Sequence, residues 1–179
     1  MLTVLRSTVP VIVIWTNPTQ DPPDWLRDRA TIITDTAKPM NIQRWWNKGI
    51  KQADTDVVVV ANDDLLWSRD TSTQMANGLN GRTLAMVQGY PMTGWLWALD
   101  RRHGVLPDEG YQWYFGDNQL IFDAIQYGQN MAWVPAHVRH LKFRRDDAPE
   151  VTPLIDKDWD RWEAKHGVVR GRRVQHGRR

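Results

Sequence analysis

Apolar residues in this chain come as short β-branched blocks, separated by stretches in which they recur every three or four positions. Pro10 to Trp15 (PVIVIW) and Asp56 to Ala61 (DVVVVA) are blocks of the first kind, the pattern of strands buried on both faces of a parallel sheet. Thr31 to Thr34 reads as a shorter strand between them. From Met40 to Ala53, Ile42, Trp45, Trp46 and Ile50 fall at helical spacing. Arg82 to Gln88 and Gly94 to Leu99 read as further strands. Asp117 to Gln129 reads as an amphipathic helix with Leu120, Ile121, Ala124, Ile125 and Gly128 on one face. Met131 to Val134 follows as a strand stopped by Pro135, and Asp156 to His166 as a terminal helix. Alternating strands and helices predict an α/β fold with a right-handed, mostly parallel sheet.

In such a sheet, ligands bind outside the carboxyl ends of the strands. Thr16-Asn17 follows the first predicted strand, Asp35-Thr36 the second and Asn62-Asp63-Asp64 the third. Three strand ends thus bring polar residues to one edge. No GxGxxG follows the first strand and no GxxxxGK[ST] occurs, so neither a dinucleotide fold nor a P-loop is supported.

Composition bounds the rest. A chain of 179 residues with 41% hydrophobic and 25% charged residues is enough for one folded domain, and the absence of Cys excludes a disulfide scaffold. The net charge of +2 conceals an asymmetry. Six Lys or Arg and no acid lie between Lys165 and Arg179, leaving 17 basic against 21 acidic residues before them. The expected organisation is a domain over 1–166 and a flexible basic tail over 167–179. The tail is open to contact with nucleic acid, anionic lipid or a protein. No apolar run is long enough to span a bilayer, and MLTVLRSTVP lacks the long apolar core of a signal peptide, so a cytoplasmic protein without a transmembrane segment is expected.

The Asn62-Asp63-Asp64 triplet carries the first chemistry. Two adjacent carboxylates repel, and a hard divalent cation offsets that repulsion while filling its other positions with phosphate oxygens. If the strand continues, residues 62 and 64 point one way and Asp63 the other, which makes Asp64 the candidate ligand. The triplet equally fits a solvated turn with Asp as an N-cap.

Over residues 10 to 142 the order of short motifs resembles glycosyltransferase family 2, the inverting enzymes of the GT-A (Rossmann-like) fold. The resemblance rests on Asn47-Lys48-Gly49 and Ala53, then Asp56 to Ala61 followed by Asn62-Asp63-Asp64. It continues through Gly94, Arg101-Arg102, Asp108-Glu109, Phe115-Gly116-Asp117-Asn118-Gln119-Leu120, Gly128, Val134-Pro135 and His140. The resemblance implies a single GT-A domain that moves a sugar from a nucleoside diphosphate, a UDP-sugar by preference, to an acceptor hydroxyl with inversion, using Mn2+ or Mg2+. Asp35 matches the acid that contacts the base, and Asp63 and Asp64 the acidic motif at ribose, metal and diphosphate. Thr16, Asn47, Asn62 and Gly94 complete the implied nucleotide-sugar site. Asp117 matches the catalytic base, and His140 the histidine that completes the metal shell. Where the family carries an acid before the base, this chain has Gly116. Its compactness resembles phage-encoded or accessory members.

Elementary chemistry agrees with those roles. A departing diphosphate needs positive charge, and an attacking hydroxyl needs a carboxylate to take its proton. A helix N-terminus tends to hold Asp117 ionised. His137 and His140 are three apart, but Pro135 suggests an extended segment that separates them. The 11 Trp divide between jobs: Trp45, Trp46 and Trp133 read as core, while Trp95, Trp97 and Trp113 are candidates for stacking on an acceptor of unknown class, glycan, protein or small molecule. Trp95 and Trp97 alternate and would share a face. Rival readings are a nucleic-acid-binding protein using the Arg-rich tail, a nucleotidyltransferase, for which a basic glycine-rich loop is missing, and a sugar-binding pseudoenzyme, for which Gly116 speaks.

Overall fold

A computed structural model describes residues 9–88, 94–126, 131–141 and 149–167. In chain order the described elements are β1 (Ile12–Trp15), α1 (Asp24–Arg27), β2 (Thr31–Thr34), α2 (Ile42–Gln52), β3 (Val57–Ala61), β4 (Leu65–Trp67) and α3 (Thr71–Gly78). There follow β5 (Leu84–Val87), β6 (Leu96–Asp100), α4 (Gly116–Gln126), β7 (Met131–Val134), β8 (Val138–His140) and α5 (Thr152–His166). The molecule is α/β, as the alternating pattern predicts. Gly128 and the basic residues from Arg170 onward lie outside the described residues.

The sheets are mixed, which corrects the mostly parallel sheet. β1 and β2 pair in parallel, and so do β5 and β7. β6, however, lies between β3 and β5 and runs antiparallel to both, in the order β3-β6-β5-β7. β4 and β8 form a separate antiparallel pair that sets Leu65 opposite His140. The error has a physical source. A continuous apolar run reports burial on two faces, and helices cover both faces here whatever the strand direction.

Period-two alternation sorts the central strands between two cores. Leu84 and Met86 of β5, with Trp97 and Leu99 of β6, pack on the side of α2 and α4 against Ile50, Leu120 and Ala124. Ala85, Val87, Leu96 and Ala98 pack on the other side against Met75 and Leu79, in and just after α3. Trp97 is 0% exposed and meets Trp46 edge-on at 5.5 Å. Two core assignments fail. Trp133 is 48% exposed on β7, an edge strand of the four-stranded sheet, and Ile125 turns outward at the end of α4.

The buried face of α2 also differs from the apolar stripe expected of it. Its fully buried residues are Gln43, Asn47 and Ile50, spaced four and three apart. Asn41 caps the helix by accepting from the Arg44 N–H at 2.8 Å, and its own amide donates to the Glu109 carbonyl. Asn47 donates to the Pro107 carbonyl and to Glu109 Oε1, both at 2.9 Å. Amides thus rivet α2 to the loop between β6 and α4.

α5 holds the same loop from its other side. Arg161 donates to Asp108 at 3.0 Å, and Phe115 stacks on Trp162 with ring centroids 4.9 Å apart. The carboxylate of Asp158, 0% exposed, accepts the backbone N–H groups of Gln112 (2.8 Å), Trp113 (2.6 Å) and Tyr114 (2.8 Å). Burial pushes the Asp158 carboxyl upward, and those three donors oppose the shift. Among the described residues no helix is long and apolar enough to cross a membrane.

Candidate functional site

A cleft of about 1670 Å³ runs along β1 and β3 beside α2 and reaches the residues at their carboxyl ends. Thr16, Asn62, Asp63, Asp64, Gly94, Trp95, Trp113, Asp117 and His140 all line it. Chain segments distant in sequence therefore bring together most of the residues singled out there.

β3 ends at Ala61, so Asn62-Asp63-Asp64 forms a turn into β4 rather than a continued strand. The turn is fixed at both ends. The Asn62 N–H donates to the Trp95 carbonyl at 2.9 Å, and the Asp64 carbonyl accepts from the Leu141 N–H at 2.8 Å. That second bond continues the β4–β8 pairing and sets His140 Nε2 2.9 Å from Asp64 Oδ2. The other carboxylate oxygen, Oδ1, is buried with no hydrogen-bond partner. Trp95 stacks on the His140 ring, with centroids 5.4 Å apart and planes 17° from parallel.

The pair passes a fit test for a hard cation. A buried carboxylate oxygen without a partner is what a cation would satisfy, and a nitrogen donor stands beside it. Among the described residues no three His, Cys, Asp or Glu side chains gather at one point. A cation here would draw its remaining ligands from substrate and water.

Asp117 lies in the first turn of α4. A Cβ built on Gly94 would stand 3.0 Å from its Oδ2, so a side chain at 94 would press on the Asp117 carboxylate, and glycine gives it room. The N–H groups of Gly94 and Asn118 donate to the carboxylate and tend to lower its pKa. Burial outweighs them and holds the Asp117 carboxyl above the usual carboxylate range, the reverse of the shift expected from the helix terminus alone. Gly94 contacts Asp117 while its neighbour Trp95 stacks on His140. Two consecutive residues thus link the carboxylate on α4 to the Asp64–His140 pair.

The residue before the helix, Phe115, has a φ of 63°, a left-handed conformation that is strained for a bulky side chain. Trp159 and Trp162 of α5 hold its ring, at 4.6 and 4.9 Å. Gly116 has a specific neighbour: a Cβ there would overlap the side-chain amide of Gln43. The missing acid leaves no hole, because an amide from α2 fills the space.

Three of the sequence-derived site residues lie elsewhere. Trp97 is wholly core, and it packs with the α2 and α4 layer while Trp95 packs against the α3 side; the shared face fails because residue 95 precedes the strand. Asn47 is a rivet between α2 and the 107–109 loop. Asp35, 3% exposed, pairs with Lys48 at 2.8 Å and Arg44 at 3.0 Å and accepts the Ala37 N–H. Burial tends to raise its pKa, but the Lys48 and Arg44 hydrogen bonds prevail and lower it. The Asp108-Glu109 and Arg101-Arg102 pairs are similarly engaged, Glu109 with Asn47, and Arg101 with the carbonyls of Ala53 and Thr55.

Sequence reasoning missed Gln43 and Asp158. Asp158 gives no local signal, since an acid in a polar helix usually faces water. For Gln43 the available signal was the departure at Gly116. No protein-family model matches the chain, and no curated protein matches it as a relative.

Proposed function

We propose that the protein is a metal-dependent, inverting glycosyltransferase on a GT-A-like scaffold, with a UDP-sugar as the favoured donor. The observation that carries the proposal is the convergence of the Asp64–His140 pair and Asp117 in one cleft, bridged by Gly94 and Trp95.

In this reading Asp64 and His140 hold the cation, and the imidazole nitrogen argues for Mn2+ ahead of Mg2+. When bound, the cation offsets the charge of the departing diphosphate. Thr16, Asn62 and Asp63 line the donor end of the cleft. The acceptor oxygen attacks the anomeric carbon as the carbon–oxygen bond to the diphosphate breaks on the opposite face. A carboxylate oxygen of Asp117 takes the hydroxyl proton as the new bond forms. The raised pKa of Asp117 increases its proton affinity, which suits a group that takes a proton. Trp95 and Trp113 offer apolar faces to an acceptor, a role that Trp97 cannot share from the core.

The test is thermal unfolding with UDP-, GDP-, CDP- and dTDP-sugars, each with and without Mn2+. At 100 times its dissociation constant a donor adds about 2.7 kcal/mol of stability. A metal-dependent rise with at least one donor is expected, and the absence of any such rise with all four would overturn the proposal.

A further inference from the structure

Gln43 lies in the first turn of α2 and is 1% exposed, yet its Oε1 has no hydrogen-bond partner. It lines the cleft, and its amide rests against the backbone of Gly116, one residue before Asp117. An amide oxygen desolvated without a partner is costly, and an apolar side chain at this position would avoid the cost. Nor can the group easily swing to water. The Asn41 cap and the bond from the Ile42 N–H to the Gln112 carbonyl, at 2.8 Å, anchor the start of α2 on one side, and Gly116 bounds the amide on the other.

The chemistry of the place selects the missing partner. Oε1 needs a hydrogen-bond donor. A phosphate or carboxylate has none to offer and would be repelled by Asp117. An alcohol donates one hydrogen bond and carries no charge.

We infer that Gln43 is a ligand-binding residue that accepts a hydrogen bond from a saccharide hydroxyl placed beside Asp117. The need for an uncharged hydrogen-bond donor comes from the geometry, and that this donor is a saccharide rests on the proposed transferase activity, in which donor sugar and acceptor both carry such hydroxyls. Such a contact also explains Gly116: any side chain at that position would displace the Gln43 amide.

The test follows the side-chain amide resonance of Gln43 by NMR in the full chain, assigned by its loss in Gln43→Met. Probes are glucose, galactose, mannose and N-acetylglucosamine, together with their UDP conjugates, and UDP alone, with Mn2+. At least one sugar-bearing probe should shift the resonance, and Gln43→Met should weaken that probe about tenfold while binding of UDP is unchanged. A shift confined to the conjugates assigns the hydroxyl to the donor, and one produced by free sugar assigns it to the acceptor. If Gln43→Met does not fold, Gln43→Leu removes the acceptor with a branched side chain and should weaken the same probe.

A resonance unmoved by every probe, or a probe that moves it yet binds the variant equally well, overturns the inference. The two proposals fail separately. Conjugates that bind while no probe, free sugars included, moves the Gln43 resonance refute the saccharide contact alone, whereas free sugar at Gln43 without binding of any nucleotide sugar refutes the transferase reading alone.

Discussion

His140 Nε2 lies 2.9 Å from Asp64 Oδ2, although 76 residues of sequence separate the two. The β4–β8 pairing and the Asp64 carbonyl bond to Leu141 create that proximity, so the backbone positions the pair before any ligand does. Asp64→Ala and His140→Ala should therefore each abolish stabilisation by Mn2+ with UDP, and leave the unliganded melting temperature within a few degrees of the parent. Thermal unfolding over a manganese titration checks this. Unchanged metal dependence in both variants would remove the pair from the site.

Asp117→Asn should abolish transfer and spare donor binding. It should also stabilise the protein at neutral pH. Burial raises the folded pKa, so the folded chain holds this proton more tightly than the unfolded chain. The carboxyl therefore costs stability once the pH has risen from the ordinary carboxylate range through the folded pKa. The melting temperature of the variant should exceed that of the parent by a margin that grows from acid to neutral pH. Transfer by the parent should fall on acidification with a midpoint above the usual carboxylate range.

Asp158→Ala leaves three backbone N–H groups at 112–114 without their acceptor in a buried place, and should cost about 3 kcal/mol or more in urea unfolding. Asp158→Asn keeps one acceptor oxygen and should cost less. Equal stability of the alanine variant and the parent would show that the loop does not depend on this carboxylate.

The two neighbouring tryptophans should separate cleanly. Trp97→Ala removes a fully buried indole and should cost about 3–5 kcal/mol. Trp95→Ala removes a half-buried ring at the cleft and should cost about 1 kcal/mol, with its larger effect on acceptor KM. Urea midpoints measure the first difference, and initial rates over an acceptor series the second.

The apolar pattern located β1, β2, β3, β5, β6 and β7 to within about two residues, because strands covered on both faces need continuous apolar runs. It missed α1, β4, β8 and α3. Leu65–Trp67 and Val138–His140 are three residues each, too short for any period, and α3 over TSTQMANG buries only Thr71 and Met75. A helix with so small an apolar face leaves little pattern to find.

For the candidate site, the polar residues at strand ends pointed to the 62–64 triplet, and the family resemblance added Asp117 and His140 as its partners. Neither could distinguish a polar residue that faces ligand from one that ties elements together. The Asp35 carboxylate is taken up by Lys48 and Arg44, and the Asn47 side-chain NH2 by the 107–109 loop.

Sequence by itself determined the α/β class and which residue types reach the carboxyl ends of the strands, since both follow from local period and composition. Only the tertiary structure decided strand direction, the burial of Trp97 and the exposure of Trp133. It also decided the pKa of Asp117 and the meeting of Gln43 with Gly116. Each of those depends on what packs against a residue from a distant part of the chain, and no local pattern encodes that neighbour.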